Sequence, residues 1–299
     1  MTAHSYKPRN HFNTERTFGV EIETIGMDTR LFVQLCANAG ISANLMGYTH
    51  MVTHGSWKIV TDGSLTGGVG YEIVSPPLKG EAGLNEVETV MRCAREAGAT
   101  VNRSTGFHVH HAAGEYTPEQ AAGVLLWYAK YEPVIDALVS PSRRQGNQYC
   151  VSLRKATNLV DGIQWLLDAA RSQRTTEAFS VWFSRTAPGA NGYGVSGRYH
   201  KVNLASWQRY GTIEFRHHQG TLNGSKARAW IVFTQRILER GGRGRIRVTN
   251  PSRMDFAEVV RMLGMQDSQN NGDPIIAQAR EYLKARLDHF AAREARNSR

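Results

Sequence analysis

Four short stretches of this chain alternate apolar residues with glutamate, histidine or arginine. They occupy residues 18–23, 71–74, 107–110 and 212–216. Successive side chains of a β-strand point to opposite faces, so Glu21 and Glu23 project together while Val20 and Ile22 turn towards a core. The pattern predicts four strands, each with one apolar face and one ionisable face.

The ionisable faces carry a set of side chains that needs an explanation. If the strands share one sheet, that face presents Glu21, Glu23, Glu72, Glu214, His108, His110 and Arg216. A solvated face of an antiparallel sheet also alternates, but it usually draws on Thr, Ser, Lys and Gln. Facing carboxylates repel each other by roughly 0.2 to 1 kcal/mol per pair, so something cationic should compensate them. The set indicates a site for divalent cations and a phosphorylated substrate.

Five motifs, taken in order along the chain, resemble the amidoligase family of carboxylate-amine ligases. They are F-G-V-E-I-E at 18–23, D-G-S-L at 62–65 with Y-E-I-V-S-P at 71–76, G-F-H-V-H at 106–110, K-V-N-L at 201–204 and G-T-I-E-F-R at 211–216. The segment S-R-R-Q-G-N-Q-Y-C at 142–150 resembles the basic segment that these proteins carry after a long helix. The family belongs to the superfamily of glutamine synthetase and glutamate-cysteine ligase.

The resemblance implies that ATP phosphorylates a carboxylate and that an amine then displaces phosphate to form an amide or isopeptide bond. Implied cofactors are ATP and two or three Mg²⁺ ions, with Mn²⁺ as an alternative. Magnesium takes oxygen ligands, which favours carboxylates. The implied metal ligands are Glu21, Glu23, Glu72 and Glu214.

Three strand residues acquire roles from the same resemblance. His108 would lie near the metals and phosphates, His110 nearer the nucleotide, and Arg216 would hold the transferring phosphoryl group. Phosphoryl transfer is catalysed mainly by positioning and by neutralising charge on the phosphate oxygens, which suits these residue types.

Four residues outside those strands are further candidates. Asp62 would lie near the incoming amine, although D-G-S between strands is more often only a turn. Arg198 matches a family position that contacts phosphate or the substrate carboxylate. Lys201 and Asn203 would share a strand face and reach the nucleotide or the substrate.

Some reactive side chains are interpreted as structural. Among the histidines that extend the pairs, His111, His217 and His218, alternation turns His111 and His217 to the face opposite the ionisable one. Cys150 lies in the basic segment, and nothing local marks it as an activated nucleophile.

Helical patterns between the strands predict an α+β fold. A helix should run from Thr117-Pro118 to about Val139, and another should begin at Asp273-Pro274. Apolar residues recur at helical spacing within residues 84–94 and within residues 230–238, which predicts a helix in each range. We expect a mostly antiparallel sheet with helices on one face and the active site on the other, as in a glutamine-synthetase-like catalytic domain.

The expected organisation is a disordered lead-in at 1–16, a catalytic domain at 17–248 and a basic helical extension at 249–299 packed on that domain. Two loops invite functional hypotheses. The glycine-rich segment 184–199 has the composition of a flap that excludes water from an acyl phosphate. Segment 140–158 carries Arg143, Arg144, Arg154 and Lys155 and could recognise an anionic substrate.

Composition limits the kinds of partner that this protein would bind and the cellular compartment in which it would work. The net charge is +10, and residues 236–299 hold thirteen Lys or Arg against eight Asp or Glu. An acidic macromolecular acceptor would unite this charge with ligase chemistry, whereas nucleic acid is not favoured, because no aromatic-interleaved basic stripe is present. Three cysteines without a C-x-x-C pair indicate that the protein works in a reducing cytoplasm. The sequence contains no apolar run long enough to predict a membrane-spanning helix.

Two other classes of protein remain open at this point. A metal-dependent hydrolase would use His108, His110 and some of the carboxylates to hold zinc and activate water. A catalytically inactive binding protein would use its basic surface alone, but it would not need four glutamates with Arg216. Metal-dependent turnover of ATP separates the three interpretations. The sequence names neither the acid nor the amine.

Overall fold

The computed structural model describes residues 11–47, 52–144, 147–154, 163–186, 197–243 and 254–297. The strands in these ranges are β1 Thr17–Ile25, β2 Ala43–Leu45, β3 Trp57–Thr61, β4 Gly70–Val74, β5 Leu78–Lys79, β6 Gly106–Ala112, β7 Val202–Asn203 and β8 Thr212–Gln219. The α-helices in the same ranges are α1 Thr29–Asn38, α2 Gly80–Glu96, α3 Pro118–Asp136, α4 Ile163–Ser172, α5 Thr176–Thr186, α6 Trp207–Tyr210, α7 Gly224–Gly241, α8 Phe256–Met262, α9 Asp267–Asn270 and α10 Pro274–Asn297.

The four alternating stretches lie side by side in one sheet, as predicted. The strand order is β2-β3-β4-β1-β6-β8-β7, with β5 paired to the start of β1. All pairings are antiparallel except that of β2 with β3, which is parallel. The prediction of an α+β fold with a mostly antiparallel sheet is confirmed.

One face of the sheet packs on helices. Val20 and Ile22 of β1 are buried in the same core as the apolar residues predicted on α2 and α7. On this face His111 Nε2 lies 2.8 Å from the Thr234 hydroxyl of α7. Because Glu21 and Glu23 alternate with these core residues, they project from the other face.

Cap residues start the helices where the sequence predicts. The Thr117 side chain accepts the backbone N–H of Gln120, and the Gln120 side chain accepts that of Thr117, which completes a capping box before α3. The Asp273 carboxylate accepts the backbone N–H groups of Ile275 and Ile276 at the start of α10. Throughout the described ranges, none of these helices is both long and apolar enough to cross a membrane.

The chain before β1 corrects one expectation. Residues 11–16 are not a disordered lead-in, because Phe12 is buried and its N–H donates to Asp273 Oδ2 at 2.8 Å. The next residue, Asn13, accepts the Gln235 side-chain amide through its carbonyl at 2.9 Å. Burial of apolar surface and these two hydrogen bonds offset the entropy lost on ordering. Residues 1–10 lie outside the described ranges.

The C-terminal extension packs against α7 through the apolar residues of α10 that helical spacing predicts to be buried. Ile276, Ala279 and Leu283 of α10 are buried, and Leu287 is half-buried against the same core. The proposed boundary at 248/249 falls among residues outside the described ranges, so it stays a prediction.

A β-bulge changes the histidine pattern of β8. Phe107 pairs with His218, but Val109 pairs with Phe215, so β8 holds one more residue than β6 over this interval. His218 therefore turns to the helical side, where its ring centroid lies 5.0 Å from that of Trp230. Strict alternation would have placed His218 on the face of Glu214 instead.

Lys201 also lies on the helical side, away from Asn203. Its ammonium is fully buried, 2.9 Å from Glu132 Oε1 and close to Asp136 of α3. Asp136 in turn lies 2.9 Å from Nε2 of His217. The predicted shared face fails because β7 contains only Val202 and Asn203, so alternation does not extend to Lys201.

We expect Lys201→Met to lower the free energy of unfolding by about 3–5 kcal/mol, because two carboxylates would lose their buried counter-charge. Urea denaturation measures the change. Lys79→Met is the matched control: Lys79 pairs with Glu15 at 3.2 Å, both side chains are largely exposed, and its loss should cost less than about 1 kcal/mol. Equal stability of the two variants would contradict a structural role for Lys201.

Candidate active site

The register of the sheet brings the predicted ionisable residues together. Glu23 of β1 is opposite Glu72 of β4, and Glu21 is opposite His108 of β6. On the far side of β6, His110 is opposite Glu214 of β8. Three antiparallel pairings thus place side chains from four strands on one face.

Glu21 lies between the two imidazoles. Its Oε2 is 3.0 Å from His108 Nδ1, and its Oε1 is 3.2 Å from His110 Nε2. The other nitrogen of His110 lies 3.1 Å from the Thr212 hydroxyl. Burial acts to raise the pKa of Glu21, but His110 and His108 outweigh it and hold the pKa well below its usual range.

Glu23 and Glu72 form the more acidic end of the cluster. Glu23 Oε1 lies 3.6 Å from His108 Nε2, and its other oxygen accepts the backbone N–H of Gly106. Burial, followed by the charges of Glu21 and Glu23, raises the pKa of Glu72 well above its usual range. Two neighbouring carboxylates at this depth indicate a position for a cation.

Glu214 is held from two sides. Asn203 donates its side-chain amide to Glu214 Oε2 at 2.6 Å, and Arg216 donates to Oε1. Burial would raise the pKa of Glu214, but the Arg216 guanidinium and His110 hold it below its usual value. His110 responds in the opposite direction: burial lowers its pKa, and Glu214 and Glu21 more than reverse this.

Two overlapping groups of side chains could each hold a metal ion. In one, single atoms of Glu21, His108 and Glu214 all lie within 4.8 Å of one another, and in the other those of Glu23, Glu72 and His108 do. Each group is two carboxylates and one imidazole, an oxygen-rich set that suits Mg²⁺ or Mn²⁺. Across the described residues, neither group combines His108 with His110, so the zinc hydrolase alternative is not favoured.

The cluster forms part of the floor of a cleft of about 1230 Å³. Asp62 and Arg198 also line this cleft. Asp62 Oδ1 accepts the Ser64 N–H at 2.8 Å, so the residue makes the turn that the D-G-S motif indicates and faces the cleft as well. Arg198 is exposed, with its guanidinium carbon 4.8 Å from the Tyr199 ring centroid.

The structure therefore gathers ten of the eleven candidate residues around one cleft and leaves Lys201 apart. The metal, nucleotide and catalytic roles of these residues remain predictions. Most of the hypothesised flap at 184–199 and part of the basic loop at 140–158 lie outside the described residues. Cys150 is buried, and burial raises the pKa of its thiol, as expected for an inert cysteine.

Sequence reasoning missed two cleft residues, Lys58 and Tyr199, and named a third, Arg143, only as one of four basic residues of segment 140–158. Lys58 of β3 is buried and projects from the same face as Glu21, since both pair with Val74. Arg143 is buried in the cleft wall, and Tyr199 contributes an aromatic ring there. The alternation of β3 was a usable signal for Lys58, whereas nothing local places Arg143 or Tyr199.

Comparison with known proteins agrees with this geometry. Residues 14–238 match the family model described as "Putative amidoligase enzyme". The chain belongs to the amidoligase family. No curated protein matches it. The amidoligase match includes every strand of the sheet and ends within α7, so α8, α9 and α10 follow the matched region.

If the acidic end of this amidoligase site is built for a cation, Glu72→Gln should not destabilise the metal-free protein. Removing the carboxylate relieves repulsion from Glu21 and Glu23, so we expect unfolding free energy to stay equal or rise by about 0.5–2 kcal/mol. The same variant should lose the rise in melting temperature that Mg²⁺ gives. Thermal unfolding with and without Mg²⁺ measures both effects.

Glu96→Gln is the control, because Glu96 is a half-exposed residue paired with Arg92 on α2. It should keep the response to Mg²⁺. A destabilised Glu72→Gln with an undiminished Mg²⁺ response would show that Glu72 serves the fold alone.

Proposed function

We propose that this amidoligase is an ATP- and Mg²⁺-dependent carboxylate-amine ligase with a glutamine-synthetase-like catalytic domain, acting through an acyl phosphate. The supporting observation is the pair of carboxylate-rich groups that share His108, with Arg216 beside one of them. Phosphoryl transfer needs cations to neutralise the phosphate oxygens and a rigid frame to align the reactants. Membership of the amidoligase family favours the same reaction class.

The donor atoms fit magnesium. Glu21 and Glu214 would hold one ion with His108, and Glu23 and Glu72 would hold a second. Bound there, the ions would neutralise negative charge on the nucleotide phosphates. In the absence of cations, burial and like charges already raise the pKa of Glu72, which indicates that the site gains by binding positive charge.

The first proposed step joins the acid to phosphate. A carboxylate oxygen of the substrate attacks the γ-phosphorus of ATP, the bond to the bridging oxygen breaks, and ADP leaves. Arg216 would hold the transferring group, because a guanidinium can bind two phosphate oxygens at once. Glu214 and the Tyr199 ring position Arg216, whose guanidinium carbon lies 5.6 Å from the ring centroid.

The second step forms the amide. The amine nitrogen attacks the acyl carbon, the carbon–oxygen bond to phosphate breaks, and inorganic phosphate leaves with the bonding electrons. The attacking nitrogen must lose a proton, and Asp62, on the cleft wall near Glu72, is the proposed acceptor.

The cleft wall suggests an anionic acid substrate. Arg185, Arg198 and Arg209 line the cleft beyond the acidic floor. A wall of guanidinium groups favours the binding of small-molecule or peptide carboxylates. An acidic macromolecule that carries such a carboxylate would fit the same wall.

Magnesium with a non-hydrolysable ATP analogue should raise the melting temperature of the protein, because a ligand that binds only the folded state stabilises it by mass action. At a ligand concentration of about 100 times Kd the gain is about 2.7 kcal/mol. An ADP-release screen against pooled acids and amines, with mass spectrometry of the products, then identifies the reaction. Unchanged melting at millimolar Mg²⁺ and nucleotide would contradict the proposal, and a rise with Zn²⁺ alone would favour a hydrolase.

Arg216→Lys tests the transfer step. Lysine keeps the charge but loses the fork that binds two oxygens, so kcat for the substrates identified by the screen should fall by about 10², or roughly 2.7 kcal/mol. Arg92→Lys on α2 is the matched control, since Arg92 is half-exposed and pairs only with the surface residue Glu96 in the described structure. Near-normal turnover by a folded Arg216→Lys enzyme would remove Arg216 from the mechanism.

A further inference from the structure

Arg143 occupies an unusual position for an arginine. It ends a short 3-10 helix, Pro141–Arg143, that follows α3, and only 2% of its surface is exposed. The helix is fastened to the end of β8, because the Ser140 N–H donates to Gln219 Oε1 at 3.0 Å. From there Arg143 extends into the wall of the cleft.

The guanidinium of Arg143 lies against the start of β6. A Cβ atom added to Gly106 would lie 2.1 Å from a terminal nitrogen of Arg143 and 2.7 Å from Nε2 of His108. Glycine at this position therefore leaves the space that the guanidinium fills. The N–H of the same glycine donates to Glu23, so Arg143 lies beside the end of the site formed by Glu23 and Glu72.

Arg143 differs from the other buried or partly buried arginines in its ion pairs. Arg16, Arg216, Arg228 and Arg236 each form an ion pair with a glutamate. Arg143 forms none with any carboxylate of the described residues, and its buried Nε, like those of Arg16, Arg216 and Arg228, has no hydrogen-bond partner among them. Leaving a buried cation without a counter-charge is costly, so this site is built to receive an anion.

The segment around Arg143 is held in place by the C-terminal helix. Arg144 forms an ion pair with Glu294, and its guanidinium carbon lies 5.2 Å from the Phe290 ring centroid. Arg286 covers the same ring at 4.3 Å. These contacts fix the backbone next to Arg143, which lowers the entropic cost of presenting a guanidinium to a ligand.

We propose that Arg143 is a phosphate-binding residue of this site. Arg143 lies near Nε2 of the His108 ring, whereas Arg216 pairs with Glu214, which lies 3.7 Å from Nδ1 of the same ring. A phosphate group bound across the two cation positions would therefore meet a guanidinium from each side. This inference rests on the proposed function, in which phosphate passes through the cleft twice, as the γ-phosphoryl group of ATP and as inorganic phosphate.

Inorganic phosphate is the probe, titrated into the full chain with Mg²⁺ in the presence and absence of ADP. Calorimetry gives the Kd for phosphate, and a separate titration gives the Kd for ADP with Mg²⁺. Arg143→Gln should weaken phosphate binding by about tenfold or more, and Arg143→Lys should weaken it less, because lysine keeps the charge but not the fork. The Kd for ADP should change by less than about twofold in both variants, since Arg143 is assigned to phosphate alone.

Stability separates binding from a structural role. In phosphate-free buffer Arg143→Gln should be as stable as the unchanged protein or more stable, because it removes a buried unpaired charge. Arg92→Gln is the matched control: its half-exposed arginine should affect neither phosphate affinity nor ADP affinity.

Unchanged phosphate affinity in Arg143→Gln overturns the proposal, and so does a failure of the unchanged protein to bind phosphate with or without ADP. A loss of stability in Arg143→Gln that phosphate does not influence also overturns it. If phosphate binding depends on Arg143 but ADP with Mg²⁺ does not bind, the ligase function fails and the assignment of Arg143 stands.

Discussion

The pairing of β1 with β6, which places Glu21 opposite His108, is the contact on which the site depends. Four carboxylates on one sheet face repel one another, by roughly 0.2 to 1 kcal/mol for each facing pair, unless other groups compensate them. Arg216 compensates Glu214 with its positive charge, and Glu21 lies within hydrogen-bond distance of His108 and His110. Compensation is incomplete at Glu72, whose pKa is raised by burial and by the charges of Glu21 and Glu23.

Local sequence determined much of this arrangement. Strand alternation was sufficient to predict the direction of Glu21 and Glu23, because Val20 and Ile22 had to reach the core. Gln120 was recognisable as a capping residue because its partner is three positions away in the chain. Both inferences use interactions within one element, where spacing along the chain fixes geometry. The gathering of four such strands on one face needed the additional assumption of a shared sheet.

The failures arise where geometry is set by distant residues. Lys201 was expected beside Asn203, but Glu132 and Asp136 of α3 provide a buried counter-charge on the other side of the sheet. His218 was reoriented by a bulge, and a bulge depends on the pairing of two strands rather than on either sequence alone. Phe12 could be recognised as part of the core only once Asp273, far along the chain, was known to accept its N–H.

The helical layer does more than cover the sheet. Its buried ion pairs lie directly behind the strands that carry the site, and rigid packing there limits movement of the carboxylates on the opposite face. The C-terminal helix extends this support beyond the region matched by the amidoligase family, since Phe290 contacts Arg144 next to the cleft residue Arg143. Phe290 and Glu294 of α10, which contact Arg144, thereby connect the C-terminal extension to the cleft wall at Arg143. Changes in α10 should consequently affect the position of Arg143 more than that of the carboxylates, because the strands that carry the carboxylates are fixed independently by their own backbone hydrogen bonds.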